Sequence, residues 1–214
     1  MTMGRRAYRE LEELQKEFAE RREPIRKRLA EFASVPAEDY FFELVYCLLT
    51  PQSSAVNAAK AVEALRHAGF PACGDLDVAG ILGNRSHYIR FHNTKASRVR
   101  GAWKRFPEIL PRLAPGPPPR ELRDWLAATV QGFGLKEASH FLRNIGHRDL
   151  AILDRHILKN LRRHGVLGTV PKTLTEKRYR AIERRFADFS AALGVSMDEL
   201  DLLFWSRETG EILK

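Results

Sequence analysis

Apolar positions recur along this chain every three or four residues, which is the spacing that predicts amphipathic helices. Two such stripes flank the sequence Gln-Gly-Phe-Gly at positions 131–134. The first stripe is Leu122, Trp125, Leu126 and Thr129, and the second is Ala138, Phe141, Leu142 and Ile145. No stretch alternates convincingly between apolar and polar residues as a strand would. The pattern therefore predicts an all-α protein in which a helix, a glycine turn and a second helix follow one another.

Prolines and capping residues mark where several other helices begin or end. A helical pattern covers residues 5–33, and Pro24 should break it or start a second helix because proline lacks the backbone N–H. Residues 40–49 form the most apolar stretch, which Pro51 terminates. Residues 107–119 hold six prolines and predict a stiff surface connector. Ser196 and Glu199 have the spacing of a capping box, which predicts a last helix.

The glycine turn carries the first candidate chemistry. Gly132 and Gly134 permit a tight backbone turn and leave amides uncovered at the start of the next helix, where a phosphate can bind. Lys136 comes at the beginning of that helix, and its position on the helical wheel places it away from the core, on the side of His140 and Arg143. The positive end of the helix dipole disfavours an ammonium there, which suits a lysine that acts as a nucleophile.

A second candidate residue, Asp154, follows Lys136 by 18 positions. It directly precedes the helical pattern of Ile157, Leu158 and Leu161, and aspartate is a preferred N-cap residue. A carboxylate held by a cap is rigid and can serve an adjacent reaction centre. Asparagine is an equally good cap, so the sequence predicts that Asp154→Asn changes stability little.

These residues carry a resemblance to a known family. The stretches KEASHFLRN and AILDRHIL resemble the helix-hairpin-helix DNA glycosylase superfamily, and more narrowly the 8-oxoguanine DNA glycosylase/AP lyases first recognised in archaea. The resemblance implies that Lys136 attacks C1′ of the damaged nucleotide and that Asp154 stabilises the developing sugar cation. It implies excision of 8-oxoguanine followed by strand nicking through β-elimination. It implies no metal or organic cofactor, although the hairpin carbonyls could hold a monovalent cation.

The resemblance also implies four residues that handle the base. Gln52 matches a position that enters the DNA stack after the base has left, and the alternative is a loop or capping residue. Phe91 would stack on the base, or else anchor a loop in the core. Trp205 leaves the apolar stripe of the last helix and would also stack on the base, or else pack against another helix. The terminal carboxylate of Lys214 would help to read the damaged base.

Charge and segment composition indicate the partner and the location. The 214-residue chain has a net charge of +9, which favours a polyanionic partner. The resemblance implies that this partner is double-stranded DNA with 8-oxoguanine or abasic sites. The two cysteines, Cys47 and Cys73, exclude a four-cysteine iron–sulfur cluster. The charged N-terminus and the absence of a long apolar run predict a soluble cytoplasmic monomer, associated with the nucleoid if prokaryotic, and no membrane partner.

By resemblance, two helical lobes are expected, with the helix-hairpin-helix at the cleft between them. Residues 38–148 would form one lobe, and residues 1–37 with 149–214 the other. Two other functions stay open from the sequence. A glycosylase of the same fold for oxidised pyrimidines would keep Lys136 and Asp154. A non-catalytic helix-hairpin-helix module that clamps duplex DNA would need neither.

Overall fold

The computed structural model describes residues 8–114 and 116–212, and in these residues there are helices but no strands. The α-helices in the described residues are α1 (Leu11–Ala33), α2 (Tyr40–Leu49), α3 (Ala55–His67), α4 (Val78–Leu82), α5 (His92–Ile109), α6 (Pro119–Thr129), α7 (Leu135–Asn144), α8 (Arg155–Arg163), α9 (Glu176–Leu193) and α10 (Met197–Thr209). The all-α expectation is confirmed. Among the described helices, none is both long and apolar enough to cross a membrane.

The chain divides into two compact units. One unit is Val35–Phe141, and the other combines the described residues up to Ser34 with those from Leu142 onward. The lobe boundaries at 37/38 and 148/149 stay a prediction. Each unit has an apolar core of its own, as an independently packed layer of helices requires.

In the unit Val35–Phe141, the apolar helix α2 packs on α5. Phe41 on α2 is 2% exposed, and its ring centroid lies 4.9 Å from that of Trp103 and 5.2 Å from that of Phe106, both on α5. Both contacts are edge-to-face, which aromatic pairs prefer. This packing joins the start of α2 to the second half of α5.

In the other unit, α1 and α10 pack along each other. Pro24 lies inside α1, so the expected break at this residue is wrong. A proline inside a helix costs about 3 kcal/mol, through a lost backbone hydrogen bond and the clash of its ring with the preceding turn. Beyond the proline, however, Ile25, Leu29 and Phe32 are buried on the same helix. Burying each such side chain contributes about 1.5–3 kcal/mol, which offsets the cost of a continuous helix.

Candidate active site

The hairpin before α7 favours glycine at its first position because of the backbone conformation there. Gly132 has φ +99°, a conformation that other residues rarely adopt, and a Cβ added there would lie 2.7 Å from Cδ of Arg98. Phe133 is 8% exposed and packs against Phe141, with the ring centroids 6.1 Å apart. The buried phenylalanine thus anchors the turn while the Arg98 side chain lies against its glycine.

The amide of Gly134 has a partner within the chain. Its N–H donates to Oε2 of Glu137 at 3.1 Å, which is a cap made by the third residue of α7. The expectation of an uncovered amide is therefore wrong at Gly134, because a side-chain carboxylate already occupies the helix N-terminus. The same geometry shows that this N-terminus accepts an anion. The phosphate contact of Gly132 and Gly134 stays a prediction.

Lys136 lies in the first turn of α7 with a quarter of its side chain exposed, and its Nζ is 3.9 Å from Oε1 of Glu137. Its neighbours on the wheel, His140 and Arg143, are 7% and 2% exposed, so the expectation that this whole side faces away from the core is wrong. Arg143 is buried because its guanidinium lies 4.5 Å from the ring centroid of Phe32 and 3.7 Å from Oδ2 of Asp201. Of these three residues on one side of α7, only Lys136 in the first turn remains partly exposed.

Asp154 is the N-cap of α8, as the sequence predicted. Its Oδ1 accepts hydrogen bonds from the backbone N–H groups of His156 and Ile157, both at 2.8 Å. Its Oδ2 accepts a third bond, at 2.9 Å, from Nε1–H of Trp205. Three donors therefore orient both oxygens of this half-buried carboxylate, and charge-assisted bonds of this kind are stronger than neutral ones.

Trp205 contacts the start of α8 through the edge of its indole. Besides the bond to Asp154, its ring centroid lies 5.4 Å from that of His156 in an edge-to-face arrangement. Packing against another helix is thus observed, and stacking on an extruded base stays a prediction. The sequence offers no signal for this bond, because Asp154 and Trp205 are 51 positions apart.

Gln52 and Phe91 both have a left-handed backbone, with φ of +57° and +61°. Gln52 is exposed and does not cap α3, because Oγ of Ser54 accepts the N–H of Asn57 at 3.0 Å. Phe91 is 51% exposed, which excludes the alternative of a core phenylalanine. A large exposed aromatic ring is available for stacking. The roles of both residues at the base stay predictions.

A buried lysine, Lys95, was not among the residues expected at the site. It is 2% exposed, and its Nζ donates to the carbonyls of Leu49 and Pro51 and to Oγ of Ser53. The pattern contained a signal for it, since Lys95 falls at i−4 from the buried Val99 on α5. A lysine on an apolar stripe is a polar group that must find partners inside the protein.

The remaining expectations concern the tail and bound ions. Lys214 lies outside the described residues, and its role stays a prediction. Within residues 8–114 and 116–212, no three His, Cys, Asp or Glu side chains form a group that could hold a metal ion. Lys136, Gln52, Phe91 and the hairpin belong to the unit Val35–Phe141, while Asp154 and Trp205 belong to the other unit.

Comparison with known proteins identifies relatives along nearly the whole chain. Residues 25–195 match a family model described as 8-oxoguanine DNA glycosylase. A protein of Fusobacterium nucleatum named 8-oxoguanine DNA glycosylase/AP lyase is 36% identical over 217 residues, covering 94% of this chain and 96% of its own length. A protein of the same name from Korarchaeum cryptofilum is 38% identical and covers 90% of this chain and 91% of its own length.

Solved structures agree with these relatives. The 8-oxoguanine DNA glycosylase of Methanocaldococcus jannaschii superposes with a TM-score of 0.83 at 31% identity, covering 95% of each chain. The complex of the glycosylase/lyase of that organism with a 15-mer DNA containing 8-oxoguanine superposes with a TM-score of 0.82 at 30% identity, covering 94% of this chain and 99% of the other. The family resemblance expected from the sequence is confirmed. The chain belongs to the 8-oxoguanine DNA glycosylase family.

Proposed function

We propose that this protein excises 8-oxoguanine from duplex DNA and then nicks the strand at the abasic site, with Lys136 as the nucleophile and Asp154 as the supporting carboxylate. The observation that carries the assignment is the Asp154 carboxylate, held by three N–H donors, in a chain that also has a lysine directly after a glycine hairpin. A plain N-cap needs only the two backbone donors. The donor from Trp205 fixes the oxygen that capping leaves unused.

The chemistry follows from these two groups. The free amine of Lys136 attacks C1′ as the bond from C1′ to N9 of the base breaks, and the base leaves with its bonding electrons. The negative charge of Asp154 stabilises the positive charge that develops on the sugar, which is a large term when the charge is oriented in advance. The ring-opened sugar then holds an imine with Lys136. Loss of a C2′ proton allows the 3′-phosphate to leave with the electrons of the C3′–O bond.

Four residues are assigned to the handling of the base. We assign stacking on the extruded base to Phe91 and Trp205, and filling of the vacated place in the DNA stack to Gln52. Extruding a base costs a few kcal/mol of stacking and pairing, so such contacts are needed to offset the cost. The terminal carboxylate of Lys214 is assigned to the N7–H of 8-oxoguanine, which is a donor that guanine lacks.

DNA binding is assigned to electrostatics and to the hairpin. The net charge of +9 attracts the polyanion, and the N-terminus of α7 receives one phosphate. In the structure this N-terminus holds the Glu137 carboxylate, so a bound phosphate would take the place of that side chain at Gly134. We place the protein in the cytoplasm as a monomer that works without a metal or organic cofactor.

Borohydride trapping tests the nucleophile. The protein is incubated with a duplex that contains one 8-oxoguanine, and borohydride reduces any imine to a stable protein–DNA adduct. We expect an adduct with the wild type and none with Lys136→Gln. The control variant is Lys104→Gln, which removes an exposed lysine of α5 and should trap fully. A Lys136→Gln chain that traps as well as the wild type would refute the assignment.

The same assay separates the other two functions. A non-catalytic DNA clamp would bind the duplex and give no adduct. A glycosylase for oxidised pyrimidines would trap on a duplex with an oxidised pyrimidine and leave the 8-oxoguanine duplex intact. We expect the 8-oxoguanine duplex to be the better substrate when both are present at equal concentration.

A further inference from the structure

Lys95 is a buried cation whose three donors are all used. Its Nζ donates to the carbonyl of Leu49 at 2.7 Å, to the carbonyl of Pro51 at 2.6 Å and to Oγ of Ser53 at 3.3 Å. An ammonium has three N–H donors, and a buried ammonium is expensive unless they are satisfied. Burial lowers the pKa of Lys95 to about 8, with a smaller contribution from the nearby charge of Arg98. The side chain is therefore still charged at pH 7.

The acceptors of Lys95 belong to the end of α2 and to the turn after it, which carries Gln52. Leu49 ends α2, where the last carbonyls lack helical partners and attract a positive charge. Pro51 and Ser53 flank Gln52 directly. The left-handed backbone of Gln52 is unfavourable for a residue with a side chain and persists only where its surroundings determine it. The ammonium of Lys95 supplies those surroundings on both sides of the residue.

The backbone of Lys95 belongs to the segment that carries Phe91. Its N–H donates to the carbonyl of Phe91 at 3.0 Å in the first turn of α5. Oγ of Ser53, one of the acceptors of Lys95, also accepts the backbone N–H of Arg90 at 3.1 Å. A single residue is thus bonded to both segments, through its side chain on one side and its main chain on the other.

We propose that Lys95 is a positioning residue that locks Gln52 and Phe91 into one preformed unit, so that filling the DNA stack and stacking on the extruded base occur as a single step. This inference rests on the roles proposed above for Gln52 and Phe91. It assigns Lys95 to extrusion and not to bond breaking. A preformed pair lowers the entropy lost when the lesion is captured, since neither segment must be ordered separately.

Loss of the Lys95 ammonium should impair excision of 8-oxoguanine selectively. Without the ammonium, the Gln52 turn and the Phe91 segment lose their shared anchor, and extrusion of 8-oxoguanine becomes slower. A preformed abasic site has no base to extrude, so its cleavage should be little affected. Misplacement by about 1 Å of groups remote from the chemistry can cost up to about a hundredfold in rate. We therefore expect the rate of 8-oxoguanine excision to fall about tenfold to a hundredfold and the rate of cleavage at the abasic site to change very little.

The test uses single-turnover rates on two duplexes, one with 8-oxoguanine and one with a preformed abasic site. Lys95→Met removes the ammonium and retains the length of the side chain. Lys104→Met, on the exposed face of the same helix, makes the same change in charge and is the matched control. We expect Lys95→Met to lose at least about tenfold in excision and less than about twofold in abasic cleavage. The control should match the wild type on both duplexes.

A double-mutant cycle with Gln52→Ala tests whether Lys95 acts through Gln52. If it does, adding Lys95→Met to Gln52→Ala should cost much less in excision than it costs in the wild type, because the positioned group is already absent. Fully additive losses would overturn the proposal. Wild-type excision by Lys95→Met would overturn it too, and so would equal losses on the two duplexes in a protein that circular dichroism shows to be folded.

Ser53→Ala is the test if Lys95→Met does not fold. It removes the oxygen that accepts bonds from both Lys95 and the Arg90 N–H, and it leaves the ammonium bonded to two carbonyls. A smaller but selective loss of excision would support the proposal, and unchanged excision would overturn it. Borohydride trapping at the abasic duplex keeps this result separate from the assignment of the nucleophile. Trapping by Lys95→Met together with loss of trapping by Lys136→Gln shows that the proposed chemistry holds whatever Lys95 does.

Discussion

Replacing Asp154 by asparagine separates the cap from the charge, and the structure changes what this variant should do to stability. The asparagine oxygen can still accept the N–H groups of His156 and Ile157, as the sequence predicted. Its NH2 group then faces Nε1–H of Trp205, where Oδ2 of the aspartate accepted a bond at 2.9 Å. Two donors now point at each other, so the variant loses a hydrogen bond that the sequence did not reveal.

The size of this loss can be estimated from the environment of Trp205, which is half-buried. Leaving a partly buried donor without an acceptor costs about 1–2 kcal/mol. For a protein of this length, that corresponds to a fall of about 3–6 °C in the melting temperature. Trp205→Phe removes the same N–H and retains a ring. In the Trp205→Phe background, Asp154→Asn should hardly lower the stability. The indole N–H is already absent there, and the asparagine retains the cap of α8.

The assay is calorimetric melting of the wild type, the two single variants and the double variant, together with single-turnover excision of 8-oxoguanine. Excision by Asp154→Asn should fall by about a hundredfold to a thousandfold, since the variant lacks the negative charge that we propose stabilises the sugar cation. If Asp154→Asn lowers the stability equally in the wild type and in Trp205→Phe, the bond between Asp154 and Trp205 contributes nothing to stability. Excision within about twofold of the wild type, as a purely structural cap would give, would refute the catalytic role of Asp154.

Three further predictions concern the tail, the core and DNA binding. A chain that ends at Leu213 should lose excision of 8-oxoguanine more than cleavage at an abasic site, and equal losses would remove the Lys214 carboxylate from base recognition. Burial lowers the pKa of His164 from 6.5, and the charge of Arg207 lowers it further by a smaller amount. Nη1–H of Arg207 donates to Nε2 of His164 at 2.9 Å. Below pH 6.5 the histidine therefore takes up a proton in the unfolded chain before it does so in the folded chain, which lowers the stability of the wild type. Chemical denaturation should show that the stability difference between the wild type and His164→Gln shrinks as the pH falls below 6.5. Affinity for duplex DNA should drop steeply between low and physiological salt in a binding titration, and a nearly flat dependence would contradict phosphate binding by the +9 chain.

Features that depend on neighbours within one or two helical turns could be read from the sequence. The helix on each side of the glycine hairpin, the cap at Asp154 and the capping box of Ser196 with Glu199 are all present. Each relates residues at most four positions apart, where the helix repeat fixes the geometry whatever the rest of the chain does. The family membership also followed from short stretches around Lys136 and Asp154.

Features that depend on distant segments were decided only by the tertiary structure. Pro24 does not break α1, because packing of the residues after it outweighs a local preference. Trp205 reaches Asp154 across 51 positions, and Lys95 reaches Leu49 across 46. No periodicity encodes such pairs, since a helical pattern states which face is buried and not which distant group it meets. The residues proposed to act could therefore be predicted from the sequence, whereas the distant contacts that hold them in place are apparent only from the tertiary structure.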